Sequence, residues 1–234
     1  MTNGLLFLLT ASLLIAFVGD LFQFSTRTTS SILKIADASA HLSSLSMLIN
    51  RVGAAVALLI IGYLLDTGSS SNALATSYIM FLLMISAVYY IYSVYLAKFV
   101  QLETRFMVRF YRFTRIDIPT EGTRAEALHR CNKNIKPFFY DVSLVYCISL
   151  LGFLLPSIAA SHYAEYRATL LQSGFILNSL STIYFTIVCE GKQARILMSA
   201  SSAEKLFFTK VFMRSRSLGS LLSVLMLAMV SLLF

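Results

Sequence analysis

Six apolar runs, at residues 4–24, 42–65, 73–97, 138–160, 169–189 and 217–234, take up most of this chain. Each is long enough, or nearly so, to cross the roughly 30 Å hydrocarbon core of a bilayer at about 1.5 Å per helical residue. Residues are 57% hydrophobic and only 13% charged, and nearly all the charge falls between the runs. The expectation is an all-α integral membrane protein, a six-transmembrane helix bundle. Residues 1–234 leave room for a single membrane domain with short connections, and no stretch has the composition of a separate soluble domain. Met1 to Gly4 carry no Lys or Arg, and no convincing small-residue cleavage site follows the first run, so it reads as a retained helix.

The net charge of +8 would point to nucleic acid in a soluble chain. Its placement here reports topology instead, and no nucleic-acid partner is expected. The connections at 25–41, 98–137 and 190–216 hold seventeen of the nineteen Lys and Arg residues, 66–72 holds none, and 161–168 holds only Arg167. The positive-inside rule then puts the first, third and fifth connections in the cytoplasm and both termini outside.

Cys131, Cys147 and Cys189 have no metal-ligand spacing, and Cys131 falls on the reducing side, so neither a metal nor a disulfide is expected. There is no Gly-rich phosphate loop, no GxSxG and no HExxH, and the three His residues are scattered at 41, 129 and 162. Nothing argues for covalent or metal catalysis or for a cofactor, and the chain does not read as an enzyme.

Arg51 interrupts the second run, at a depth where a charge is costly and marks a functional site by default. At 100° per residue, Lys34, Asp37, His41, Ser44, Arg51 and Asp66 fall within one arc of about 100°. One reading is the wall of a hydrated cavity, with Arg51 holding an anion at mid-depth and Asp37 and His41 nearer the cytoplasmic mouth. The other is a packing seam in which Arg51 pairs with Asp20 or Asp141. Those two carboxylates, near the cytoplasmic ends of the first and fourth spans, are natural counter-ions or proton acceptors, because an isolated carboxylate in low dielectric must be paired, hydrated or protonated.

The fifth span carries Gln172, Ser173, Asn178, Ser179, Ser181, Thr182 and Thr186, so at least one of its faces is inward; these groups serve interhelical hydrogen bonds or sugar contacts. Pro156 removes a backbone donor from the fourth span. In the connection 98–137, Phe99, Leu102, Phe106, Phe110 and Phe113 recur at helical spacing beside Lys98, Arg105, Arg109 and Arg112, the pattern of an amphipathic interfacial helix. Pro119 to Gly122 breaks it, and Thr123 with Glu126 has capping-box spacing for a short second helix.

The stretch DLFQFSTR, Asp20 to Arg27, followed by INRVGAAVALLIIG, Ile49 to Gly62, resembles the alternate lipid II flippase (Amj) family. Asp20, Ser25, Arg27, Asn50, Arg51 and Gly62 match its pattern in order and spacing, and CEGKQARIL through SRSLGSLL looks like its last connection. The chain departs from that pattern in holding Asp20 where the family has Glu, and apolar residues in place of an Asn and a Pro after the second-span Arg. The resemblance implies a flippase moving lipid II, or a related undecaprenyl-diphosphate-linked saccharide, from the inner to the outer leaflet of the bacterial cytoplasmic membrane. Its partners are then membrane lipid and the polyprenyl-diphosphate-linked saccharide.

Stripe and resemblance together nominate Arg51, Arg27, His41, Asn50 and Ser44 for substrate binding, and Asp20, Asp37 and Asp141 for ion pairing or proton coupling. Six helices enclose little volume for a disaccharide-peptide headgroup, so a cavity shared by two subunits, a homodimer, is one arrangement that would serve. Two other classes stay open: a non-transporting membrane factor of envelope assembly, and an intramembrane lipid-modifying enzyme using His41 and Asp37.

Overall fold

The computed structural model describes residues 2–33, 36–68, 70–114, 136–192 and 201–233, and no strand occurs among them. The described residues form seven α-helices: α1 (Thr2–Leu33), α2 (Ala36–Asp66), α3 (Ser71–Val94), α4 (Leu96–Thr114), α5 (Lys136–His162), α6 (Arg167–Tyr184) and α7 (Ser202–Leu233). All but α4 are long and apolar enough to cross a membrane, giving six candidate spans. A 3₁₀ turn, Ala164–Tyr166, leads into α6, which continues as a π-helical segment, Phe185–Glu190.

Three helices overrun the expected spans at the end of the bundle that carries α4. Helix α1 continues past residue 24 to Leu33, α2 begins at Ala36 rather than 42, and α7 begins at Ser202 rather than 217. Hydropathy ends a span where polar residues cluster, but a helix need not stop there when those side chains have partners. The α1 extension buries Ser25, Thr28 and Thr29. Thr28 Oγ1 lies 3.1 Å from Thr209 Oγ1 on α7, which secures these two extensions to one another.

Neighbouring helices pack in the order α2, α1, α3, α7, α5, α6, with α3 and α7 central and α2 and α6 at the two ends. The α1–α2 contact depends on small residues. A Cβ on Gly53 would stand 2.7 Å from the Ala16 nitrogen and 2.9 Å from the Ser12 oxygen, so this position has room for hydrogen only. Gly219 plays the same part for α7 on α5, where a Cβ would meet the Ser143 oxygen at 2.6 Å. The core between these contacts is aromatic: Tyr78, Phe81 and Tyr89 of α3 and Phe212 of α7 are fully buried. Pro156 lies within a continuous α5 and abuts Gly174 of α6, whose missing side chain makes room for the ring.

Helix α4 rests on α1, α3 and α7 through a face that includes Leu96 and Met107, with Phe99 stacked 4.8 Å from Tyr92. At its centre is Glu103, a carboxylate absent from every sequence expectation. It accepts hydrogen bonds from Ser25, from Thr29 at 2.7 Å and from Tyr92 at 3.2 Å. Burial pushes its carboxyl above the usual range, and the hydroxyl donors partly oppose that shift. Leu102 and Phe106 remain exposed beside Lys98, Arg105 and Arg109. The side chains of Phe110, Arg112 and Phe113, the Pro119–Gly122 break, the Thr123–Glu126 cap and Cys131 lie outside the described residues.

Candidate functional site

Ends of the helix series that do not close on each other leave space between them. Between the α1–α2 pair and the α5–α6 pair lies a cavity of about 370 Å³, within the range of ligand pockets. Asp20 and Arg216 contribute its only charges among the described residues lining it, and Asn50, Ser149, Asn178 and Ser181 supply amides and hydroxyls. A second cavity of about 250 Å³ adjoins it, since Phe153 and Asn178 line both. This one is mainly apolar, walled by Leu58, Ile61, Leu171 and Phe175 of α2 and α6.

Arg216 stands near the middle of α7 and Asp20 well inside α1. The guanidinium Nη1 donates to Asp20 Oδ2 and, at 3.1 Å, to the Tyr89 hydroxyl. Tyr89 in turn donates to Asp20 Oδ2 at 3.4 Å and accepts from the Tyr146 hydroxyl at 3.1 Å. Four rings surround the guanidinium, with centroids 4.7 Å (Phe212), 4.9 Å (Tyr146), 5.5 Å (Phe185) and 5.7 Å (Tyr89) from Cζ. A desolvated cation on one aromatic face gains about 2 kcal/mol or more, which helps hold the charge away from water. The balance is uneven: Arg216 Nε is buried without a hydrogen-bond partner. Leaving such a donor unmet costs roughly 1–3 kcal/mol.

Local structure explains how these rings meet one charge. Gly219, one turn beyond Arg216, lets α7 close on α5 and brings Tyr146 against the guanidinium. The π-helical segment begins at Phe185, and both Phe185 and Thr186 line the polar cavity. The altered register from Phe185 onward accompanies the seating of that ring over Arg216, and π segments recur at functional sites.

Several sequence expectations are corrected by this geometry. Asp20 pairs with Arg216, 196 positions away, and not with Arg51. Asp141 pairs with Lys192 at 3.4 Å, again not with Arg51. The α2 stripe does not wall the polar cavity: Ser44, Arg51 and Asp66 are exposed and line neither cavity. The reason is the seam at Gly53. Two residues are 200° apart on a helix, so pressing Gly53 onto α1 carries Arg51 toward the opposite side. Asn50 does line the polar cavity. Arg51 is next in sequence to Asn50 but is not itself among the residues lining either cavity. Arg27 is half-buried near the α4 end of α1. The side chains of Asp37 and His41 lie outside the described residues.

Arg216 itself was absent from the expected site residues, having been placed at the end of the fifth connection. A signal was present: Thr209, Phe212, Arg216, Ser220 and Ser223 are spaced three or four apart, one stripe of a helix, and all are buried. Arg214, two residues away, is exposed.

The chain matches no protein family, no curated protein and no solved structure. The site is therefore interpreted from its own geometry.

Proposed function

We propose that the protein moves an anionic lipid-linked saccharide, a polyprenyl-diphosphate sugar of the lipid II type, across the bacterial cytoplasmic membrane. One observation carries this reading: a polar cavity lined by Arg216 and Asp20 adjoins an apolar cavity across Phe153 and Asn178, and residues of α2 and α6 line both. A flippase has to offer a hydrated path to a headgroup that hydrocarbon excludes while its tail stays in a lipid-like environment. The polar compartment suits the first part of the cargo and the apolar one the second. Arg51, exposed and next in sequence to the cavity-lining Asn50, is suited to meet the diphosphate before it enters.

The polar cavity is near the small end of the roughly 300–1,000 Å³ range of ligand pockets. It accommodates a diphosphate with an adjoining sugar, whereas a complete disaccharide-peptide headgroup requires the cavity to widen or a second copy to complete it. The Lys and Arg excess at the α4 end supports an orientation with that end in the cytoplasm and both termini outside. Helix α4 then lies at the inner leaflet, with Leu102 and Phe106 toward lipid and Arg105 and Arg109 among anionic headgroups.

The test is a leaflet assay. Liposomes containing a fluorescent polyprenyl-diphosphate sugar are made with and without the purified protein, and an impermeant quencher is added outside. Transport exposes the inner-leaflet cargo to quenching over time. Quenching confined to the outer pool, with protein that is folded and inserted, rejects the reading in favour of a non-transporting assembly factor.

A further inference from the structure

The pair at the base of the polar cavity is asymmetric in a way that a purely structural ion pair does not require. Arg216 is held by four rings and only 6% of its side chain is exposed, whereas 27% of the Asp20 side chain is exposed. The cation is therefore fixed and the carboxylate is the more accessible partner. Both guanidinium hydrogen bonds leave from Nη1, Asp20 engages it through one oxygen only, and Nε stays buried and unpaired. A guanidinium presents a planar fork that fits two oxygens of a phosphate at once, and a single carboxylate oxygen does not fill it.

We propose that Arg216 is an anion-binding site for a phosphate or diphosphate ester, and that Asp20 is its resident competitor. Asp20 holds the place of a phosphate oxygen while the cavity is empty and yields it when an anionic headgroup enters. This rests on the interpretation of the cavity as a headgroup path and assigns that path its internal ligand. Ser149, Asn178 and Ser181 lie along the same cavity as uncharged partners for further oxygens. Among the described residues lining it there is no second carboxylate: α5 brings Tyr146, α2 Asn50 and the π-helical segment Phe185 with Thr186, while the Tyr89 hydroxyl of α3 meets the pair from behind the lining. Asp20 is thus the built-in rival of the ligand.

The test measures binding to the full-length protein in nanodiscs of phosphatidylcholine, at fixed pH and low salt. The probes are farnesyl diphosphate, inorganic diphosphate and farnesol. Asp20→Asn is expected to bind farnesyl diphosphate about tenfold more tightly than wild type, and Arg216→Gln about tenfold or more weakly. Arg216→Lys should fall between wild type and Arg216→Gln, because it keeps the charge and loses the fork. Farnesol should respond to none of these changes. If inorganic diphosphate follows the same pattern, the site serves free as well as lipid-borne anions; if only farnesyl diphosphate does, the ligand is a lipid. Should Asp20→Asn fail to fold, Tyr89→Phe removes the hydroxyl that anchors Asp20 and keeps the ring, and it should tighten binding by a few-fold. Binding by a folded Asp20→Asn or Tyr89→Phe no tighter than wild type overturns the proposal. The two readings fail separately. Tighter binding in Asp20→Asn with no protein-dependent flipping removes the transport reading and leaves the anion site. Flipping by wild type without tighter binding in the variant does the reverse.

Discussion

Asp66, the last residue of α2, accepts a 2.9 Å hydrogen bond from Nη1 of Arg167, the first residue of α6. The pair joins the two helices that flank both cavities, at the end of the bundle opposite α4. It is largely exposed on the Asp66 side, and exposed ion pairs contribute only about 0–1 kcal/mol. That is weak enough to open during the transport cycle proposed above.

Charge reversal tests this clasp. Asp66→Arg and Arg167→Asp should each alter the flipping rate, and the double swap should bring it back toward wild type, with thermal stability changed by no more than about 1 kcal/mol throughout. Single variants indistinguishable from wild type in the leaflet assay would show that the clasp has no part in gating.

Two glycines separate packing from passage. Gly219→Ala sets a Cβ 2.6 Å from the Ser143 oxygen, and such overpacking costs about 1–3 kcal/mol. The variant should melt lower in detergent and also weaken anion binding, because α7 carries Arg216. Gly62 borders the apolar cavity and a Cβ there meets nothing within 4 Å. Gly62→Ala should therefore melt at or above the wild-type temperature, helped by the better helix propensity of Ala. A lower melting temperature for Gly62→Ala than for Gly219→Ala would contradict the packing described.

Glu103 makes the docking of α4 sensitive to pH. Its folded-state pKa is raised by burial, so between the unfolded value and the raised one the folded protein holds more protons than the unfolded chain. Stability is then greatest below the unfolded pKa and declines as pH rises through the folded pKa. Melting temperature followed upward from about pH 4 should fall in wild type and stay flatter in Glu103→Gln, which keeps hydrogen bonding without the charge. Equal slopes in the two proteins would assign the pH dependence elsewhere.

Arg51 is exposed and makes no ion pair among the described residues, so its loss should leave the fold intact. Arg51→Ala should reach the membrane in near-normal amount and lose most of its flipping, while Arg51→Lys keeps part of it, since a point charge survives without the fork. Full activity in Arg51→Ala at matched abundance would exclude Arg51 from the cargo path.

The six spans were legible because hydrophobic length is a local property. A run of about twenty apolar residues reads as a span whatever packs against it. Span ends were less legible. Ser25, Thr28 and Thr29 look like the start of a loop until Glu103 of α4 and Thr209 of α7 are in place to receive them.

What the sequence determined by itself was the six-span helical architecture, the amphipathic character of α4, and the presence of charges that hydrocarbon cannot leave bare. Only the tertiary structure decided which charge became the interior one. Arg51 and Arg216 are chemically alike, and hydropathy placed the first in a span and the second in a connection. Helix rotation reversed their roles: the Gly53 contact turns Arg51 outward, and the Gly219 contact holds Arg216 against Tyr146 and within reach of Asp20. Which face of a helix turns inward depends on close backbone approach between segments far apart in the chain, and the polar stripe from Thr209 to Ser223 hints at the inward face of α7 without naming its partners.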